Sequence, residues 1–216
     1  MRMNTRHSQS GFSLLELAIA ITILAILAGG ALKGRELINT ANVQATATDL
    51  ANLETAITAF RSRYSALPGD FGGAANAGLN AAGGANGNNN GQIDNTEISV
   101  AYSHLQQAGF ISGNYVVPNP AVANCAAASC QESALGGFYV LSNAAANGPI
   151  TIGIAQNASG RLLAELDRKM DDGNPSTGDI QDSTAAPGCT TAGAAGTADD
   201  AWTETNNNCS ALYFIR

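Results

Sequence analysis

Glu16 stands inside an apolar run that extends from Phe12 to Leu32. Centring an acid in a bilayer helix costs on the order of 2.5–3.5 kcal/mol on insertion scales, so a carboxylate in such a run calls for a partner. A second set of oxygen-bearing residues lies at 86–97. Asn86, Asn88, Asn90 and Asp94 fall at the first, third, fifth and ninth positions of a calcium loop, with Gly91 sixth, Ile93 eighth and Glu97 twelfth. Alternate side chains converge in such a loop, the glycine permits the sharp turn, and the closing Glu can bind through both oxygens. The candidate ligand set is Asn86, Asn88, Asn90, Gln92, Asp94 and Glu97, and the cofactor it implies is Ca²⁺. Asparagines replace the usual aspartates, which leaves Asp94 and Glu97 as the only anions, and no entering helix is predicted. The other reading is a flexible Asn/Gly loop whose Glu97 favours the start of a helix. A third set runs from Asp167 through Asp171 and Asp172 to Asp179, with Asp171, Asp172 and Asp179 as a weaker metal candidate. A helix ending at Gly173 with a turn at Asn174-Pro175 explains the same residues without a metal.

Nucleophilic catalysis finds little material. His7 precedes the apolar run, so Ser-His-Asp or Cys-His chemistry would rest on His104, which sits beside Ser103 in a helical pattern. The acids could serve as a glycosidase pair, but Trp202 is the sole tryptophan and no aromatic-rich cleft signal accompanies them. The expectation is a protein that is not an enzyme. The four cysteines form two local pairs, Cys125 with Cys130 and Cys189 with Cys209. An even count at these spacings on an exported chain reads as two disulfides.

These residues need elements to place them. No proline interrupts residues 12–63, which predicts roughly 50 helical residues and ~75 Å of helix. The first ~20 are apolar all round and long enough to span a bilayer. In the second half Leu50, Leu53, Ile57, Phe60 and Tyr64 recur at spacings of three and four, a stripe that should lie against a sheet. Gly29, Gly30 and Gly34 weaken the helix by roughly 1 kcal/mol each relative to Ala. They mark either a weak stretch of the helix or a surface for tight helix packing. Pro68-Gly69 ends the helix. Residues 72–91 read as too polar and flexible for core. Residues 96–108 and 160–170 predict short helices, and 115–117, 138–141, 150–154 and 212–215 predict strands.

The opening run Gly11-Phe12-Ser13-Leu14-Leu15-Glu16-Leu17, behind a short leader with Arg2 and Arg6, resembles the N-terminus of a type IV prepilin or a type II secretion pseudopilin. The resemblance covers about the first fifth of the chain. It implies cleavage after Gly11 by a prepilin peptidase, methylation of the new N-terminal Phe12, and a role for Glu16 in filament assembly. An ordinary secretory signal with its cleavage site in 28–31 is the competing reading, and a plain single-span anchor is another. Glu16 inside the run and Gly-Phe ahead of it speak against both. The family implies an α+β fold, with one long helix whose second half packs on a small antiparallel sheet. It implies a division into leader (1–11), membrane and filament-core helix (12–34) and globular head (35–216). The implied function is a structural subunit of a pilus or pseudopilus. The alternative is a minor or tip subunit that acts in adhesion or DNA uptake. Implied partners are the peptidase, other pilin or pseudopilin subunits, the inner-membrane assembly platform and the inner membrane itself. The head would stand in the periplasm before assembly. The loop at 171–179 is loosely similar to one that binds calcium in some pseudopilins. Net charge is −7, and loss of Arg2 and Arg6 with the leader takes it to −9. That acidity argues against a general nucleic-acid surface.

Overall fold

The computed structural model describes residues 13–79, 86–117, 125, 128–143, 148–183, 189–191, 201–203 and 205–215. The chain divides into two compact units, Met1–Ala41 and Asn42–Arg216. Helix α1 runs Leu14–Tyr64. Ser13 caps it, its Oγ accepting the Leu15 N–H at 3.3 Å, which satisfies one of the donors that every helix start leaves open. In the first unit the apolar side chains from Leu14 to Leu32 are all exposed, as Leu14 and Ile26 illustrate at 88% and 75%. This is the one described helix long and apolar enough to cross a membrane. Gly29, Gly30 and Gly34 lie within unbroken helix with open space around each. A Lys33–Glu36 ion pair at 2.6 Å is solvent-exposed and contributes little.

In the second unit the rest of α1 buries Val43, Thr46, Leu50, Leu53, Ala56, Ile57 and Phe60 in the core of the head. The expected stripe is therefore the core face, with Tyr64 half-buried at its end. Against it stands an antiparallel sheet of four strands: β1 (Val140–Asn143), β2 (Ile150–Ala158), β3 (Ile180–Asp182) and β6 (Cys209–Ile215). Their spatial order is β1-β2-β6-β3. Ile150, Ile152 and Ile154 of β2 are buried, as are Ala211, Tyr213 and Ile215 of β6, in the period-two pattern of a sheet packed on one face. The sheet is also tied to α1 through hydroxyls. Tyr213 donates to Glu54 at 2.6 Å and Tyr139 to Asp49 at 3.2 Å. Burial pushes both phenols up, Tyr139 to about 12. A two-stranded ribbon, β4 (Thr190–Thr191) with β5 (Ala201–Trp202), and helices α2 (Ile98–Gln107) and α3 (Gly160–Met170) complete the α+β fold.

Two expectations change. Residues 115–117 are not a strand. The Tyr115 N–H goes to Gln106 Oε1 at 2.8 Å and the Val116 N–H to the Ala128 carbonyl at 2.7 Å, while Val117 is consumed by the core. Isolated backbone bonds of this kind hold a loop, not a ladder. Residues 72–91 are also less detached than their polarity suggested, because Ala74 and Leu79 are buried in the main core. The segment at 80–85 lies outside the described residues.

Candidate functional site

Glu16 lies in the first turn of α1 and is exposed. That end of a helix carries partial positive charge, which favours an acid there. Gly11 and Phe12 lie outside the described residues.

The loop at 86–97 is closed by its own oxygens. Glu97 is the residue before α2, and its two carboxylate oxygens accept the N–H groups of Asn88 at 2.8 Å and Asp94 at 3.2 Å. Asn88 Oδ1 accepts the Asn90 N–H at 3.0 Å, Asn90 Oδ1 the Gln92 N–H at 2.7 Å, and Asp94 Oδ1 the Thr96 N–H at 2.9 Å. Asn86 faces elsewhere, accepting the Ala75 N–H at 2.9 Å. Of the six candidate ligands, Asn88, Asn90, Asp94 and Glu97 are thus joined in one network. The Asn88, Asn90 and Glu97 oxygens each keep a further lone pair for a cation, whereas Asp94 Oδ1 also accepts the Thr96 hydroxyl at 2.6 Å. Burial raises the Glu97 carboxyl above the ordinary glutamate range, with Asp94 and Asp70 adding repulsion. The Thr96 hydroxyl holds Asp94 below the ordinary range.

Asp70, which the sequence reading missed, is the anchor of this loop. It is buried at 3% exposure, and its two oxygens accept the N–H groups of Asn90 at 2.7 Å and Gly91 at 2.8 Å. Its carbonyl accepts the Asn89 N–H at 2.9 Å. Gly87 passes so close that a Cβ there would overlap the Gly69–Asp70 backbone. Asn143 of β1 clamps the far side, accepting from Ile93 N–H at 2.6 Å and donating to the Gly91 carbonyl at 2.9 Å.

The second acidic loop is organised otherwise. Oxygens of Asp167, Asp171 and Asp172 lie within 4.8 Å of one another. Asp179 enters through its backbone N–H, which donates to Asp171 Oδ2 alongside the Ile180 N–H at 3.0 Å. Asp167, which opens the acidic set but is not among its expected ligands, joins the cluster. It is fully buried on α3, accepting the Trp202 indole N–H at 2.7 Å and the Gly173 N–H at 3.1 Å. Burial raises its carboxyl above the ordinary range, and Asp171 and Asp172 repel its charge further. Exposed Asp172 is held low by the Thr177 hydroxyl at 2.6 Å.

Disulfides join Cys125 to Cys130 and Cys189 to Cys209, with Cα atoms 5.3 and 5.5 Å apart. The second wraps the start of α3, where the Gly160 N–H donates to the Asn206 carbonyl at 2.8 Å and a Cβ on Gly160 would overlap the Thr203 carbonyl. His104 is buried, its ring stacked on Phe60 and its Nδ1 accepting the Gly69 N–H at 3.1 Å. That geometry makes it a core residue.

An exposed apolar helix continuing into the core helix of a small α+β head defines the pilin-like class of architecture. Residues 6–32 match the family model of the prokaryotic N-terminal methylation motif, the signature of type IV pilins and pseudopilins. That match supports a type IV pilin- or pseudopilin-like precursor, and the motif implies processing by prepilin peptidase and assembly with other pilin subunits. Comparison with curated proteins and with solved structures gave no match.

Proposed function

We propose that this protein is a structural subunit of a type IV pilus or type II secretion pseudopilus, cleaved after Gly11, methylated on Phe12 and polymerised through its N-terminal helix. The observation that carries the reading is the helix itself. Its first turns expose every apolar side chain while keeping Glu16 among them, so the surface is complete only when a membrane or other helices cover it. Stored in the inner membrane with the head in the periplasm, Glu16 lacks a charge partner. In a filament its carboxylate meets the methylated ammonium of Phe12 on a neighbouring subunit. A dry core strengthens that attraction, although both ions must first be desolvated. The pair then sets register between helices that would otherwise slide. The proposed division is leader 1–11, filament-core helix 12–34 and head 35–216.

The test compares membrane and sheared-filament fractions of wild type, Glu16→Ala and Glu16→Gln, with mass spectrometry of the N-terminus. Both variants should insert, lose the leader and fold, yet enter filaments poorly. Equal incorporation of all three would remove Glu16 from assembly, and a mature chain starting within 28–31 would replace the whole reading by an ordinary signal peptide. A second reading is a minor or tip subunit whose head engages a surface or DNA. The Asp70-anchored loop, a fixed surface on the head, favours it, and scarcity of the protein in sheared filaments would support it.

A further inference from the structure

A cavity of about 600 Å³ opens in the head where the last turns of α1 meet the Asp70-anchored loop. Thr58, Arg61, Ser62 and Ser65 line it from the helix side, and Asn89 and Asn90 from the loop. The helical spacing of the first four places them along one exposed strip of α1 and its end. The side chains of Thr58, Arg61, Ser62, Ser65 and Asn89 make no hydrogen bond to another described residue. The carboxamides of Asn88 and Asn90 by contrast bond within the loop, and the Asn86 oxygen accepts the Ala75 N–H. The uncommitted groups stand on fixed supports. One wall is a helix packed into the core, and the other is held by the Asp70 carboxylate and by Asn143. Because the backbones that carry them are fixed, binding has only the side-chain rotamers left to order.

The lining also selects the ligand class. Hydroxyls and a carboxamide both donate and accept, and the Arg61 guanidinium offers a planar fork of donors. Among the lining residues Arg61 is the lone cation and Asp70 the lone anion. The carbonyl end of α1 adds partial negative charge, so the site does not favour an anion. Its size falls within the range of small-molecule sites, roughly 300–1,000 Å³. We propose that this cavity binds a neutral saccharide, of mono- or disaccharide size, through Arg61, Asn89 and the serine and threonine hydroxyls.

The test is ligand-observed saturation-transfer NMR on the full chain in amine-oxide micelles, which carry no sugar headgroup. The probes are lactose, cellobiose and N-acetylglucosamine, each at millimolar concentration. Transfer to ring protons of at least one probe is expected. Arg61→Ala and Asn89→Gly should each weaken binding about fivefold, the loss of roughly one hydrogen bond. Glycine at 89 preserves the positive φ of 58° found there. Arg63→Ala, which removes an arginine outside the lining, should leave binding unchanged. Silence from all three sugars, or binding that survives both cavity variants, overturns the proposal. Displacement of the sugar by equimolar inorganic phosphate also overturns it, by making the cavity an anion site.

Discussion

The loops at 86–97 and 171–180 are built from the same residue types, acids mixed with Asn, Gly and Thr, yet they deploy their oxygens differently. In the first, acids alternate with amides, and Asp94, Glu97 and the distant Asp70 each accept nearby N–H groups. In the second, Asp171 and Asp172 crowd within 4.8 Å of Asp167, the fully buried acid of α3. Spacing therefore decides what an acid does. Where amides separate the charges, backbone donors can saturate each oxygen. Where charges converge, their mutual repulsion favours uptake of a proton or a cation. The first loop is a scaffold, and the second is electrostatically loaded.

The largest expected effect tests burial. Asp167→Ala leaves the Trp202 indole N–H and the Gly173 N–H without acceptors and should destabilise the head by about 2–6 kcal/mol, at about 1–3 kcal/mol per orphaned donor. Asp70→Ala releases two amides at half-buried positions and should cost about 1–2 kcal/mol. Denaturant unfolding of the full chain in micelles, followed by near-ultraviolet dichroism, measures both. Equal losses would erase the distinction between the loops.

Acid titration gives a smaller and more specific signal. Asp167 and Glu97 have raised carboxyls, so their contribution to stability is present at low pH and is lost as pH rises through the folded value. Asp94 and Asp172 are lowered and behave oppositely, their contribution disappearing as pH falls through the folded value. Trp202 isolates one of the four, being the sole tryptophan and bonded to Asp167. Its emission should titrate with a midpoint above 3.8, the ordinary aspartate value. Asp167→Asn should remove the transition and Glu97→Gln should leave it. A midpoint at or below that value would contradict the burial account.

Calcium should give the smallest change. Millimolar Ca²⁺ should lower the midpoint of the Trp202 titration, because a cation among Asp167, Asp171 and Asp172 favours their ionised forms. Asp171→Ala should abolish the shift. A melting-temperature rise that depends on Glu97 instead would move the ion to the first loop and reverse the contrast.

Much of this architecture was legible because it repeats. Leu50, Leu53, Ile57 and Phe60 mark a helix face by period alone, and helix α3 occupies the range expected of it. Strands β3, β4 and β5 were not legible. Two or three residues such as Thr190–Thr191 carry no period, and they are extended because a partner strand holds them. Tyr115 and Val116 carried strand propensity, but side-chain and loop acceptors took their N–H groups. Asp70 follows Pro-Gly and reads as turn, since its partners lie 20 and 21 positions away. Asp167 did leave a trace. It stands four residues after Leu163 and next to Leu166, on the face that α3 buries, and a buried acid requires donors such as the single indole.

Strand β6 lies between β2 and β3 but follows both in sequence. During synthesis the two flanking strands therefore emerge before the strand that separates them. Until β6 arrives, the edges of β2 and β3 that it pairs in the folded head have no partner, and the Cys189 thiol has no Cys209 to join. Strand edges left unpaired in this way can pair with the β6 of another copy, which is the route of strand exchange. The vulnerable interval in the life of this head is thus the time needed to deliver the residues from Ser183 to Ile215, and crowding of nascent chains at one membrane site lengthens the odds against correct pairing.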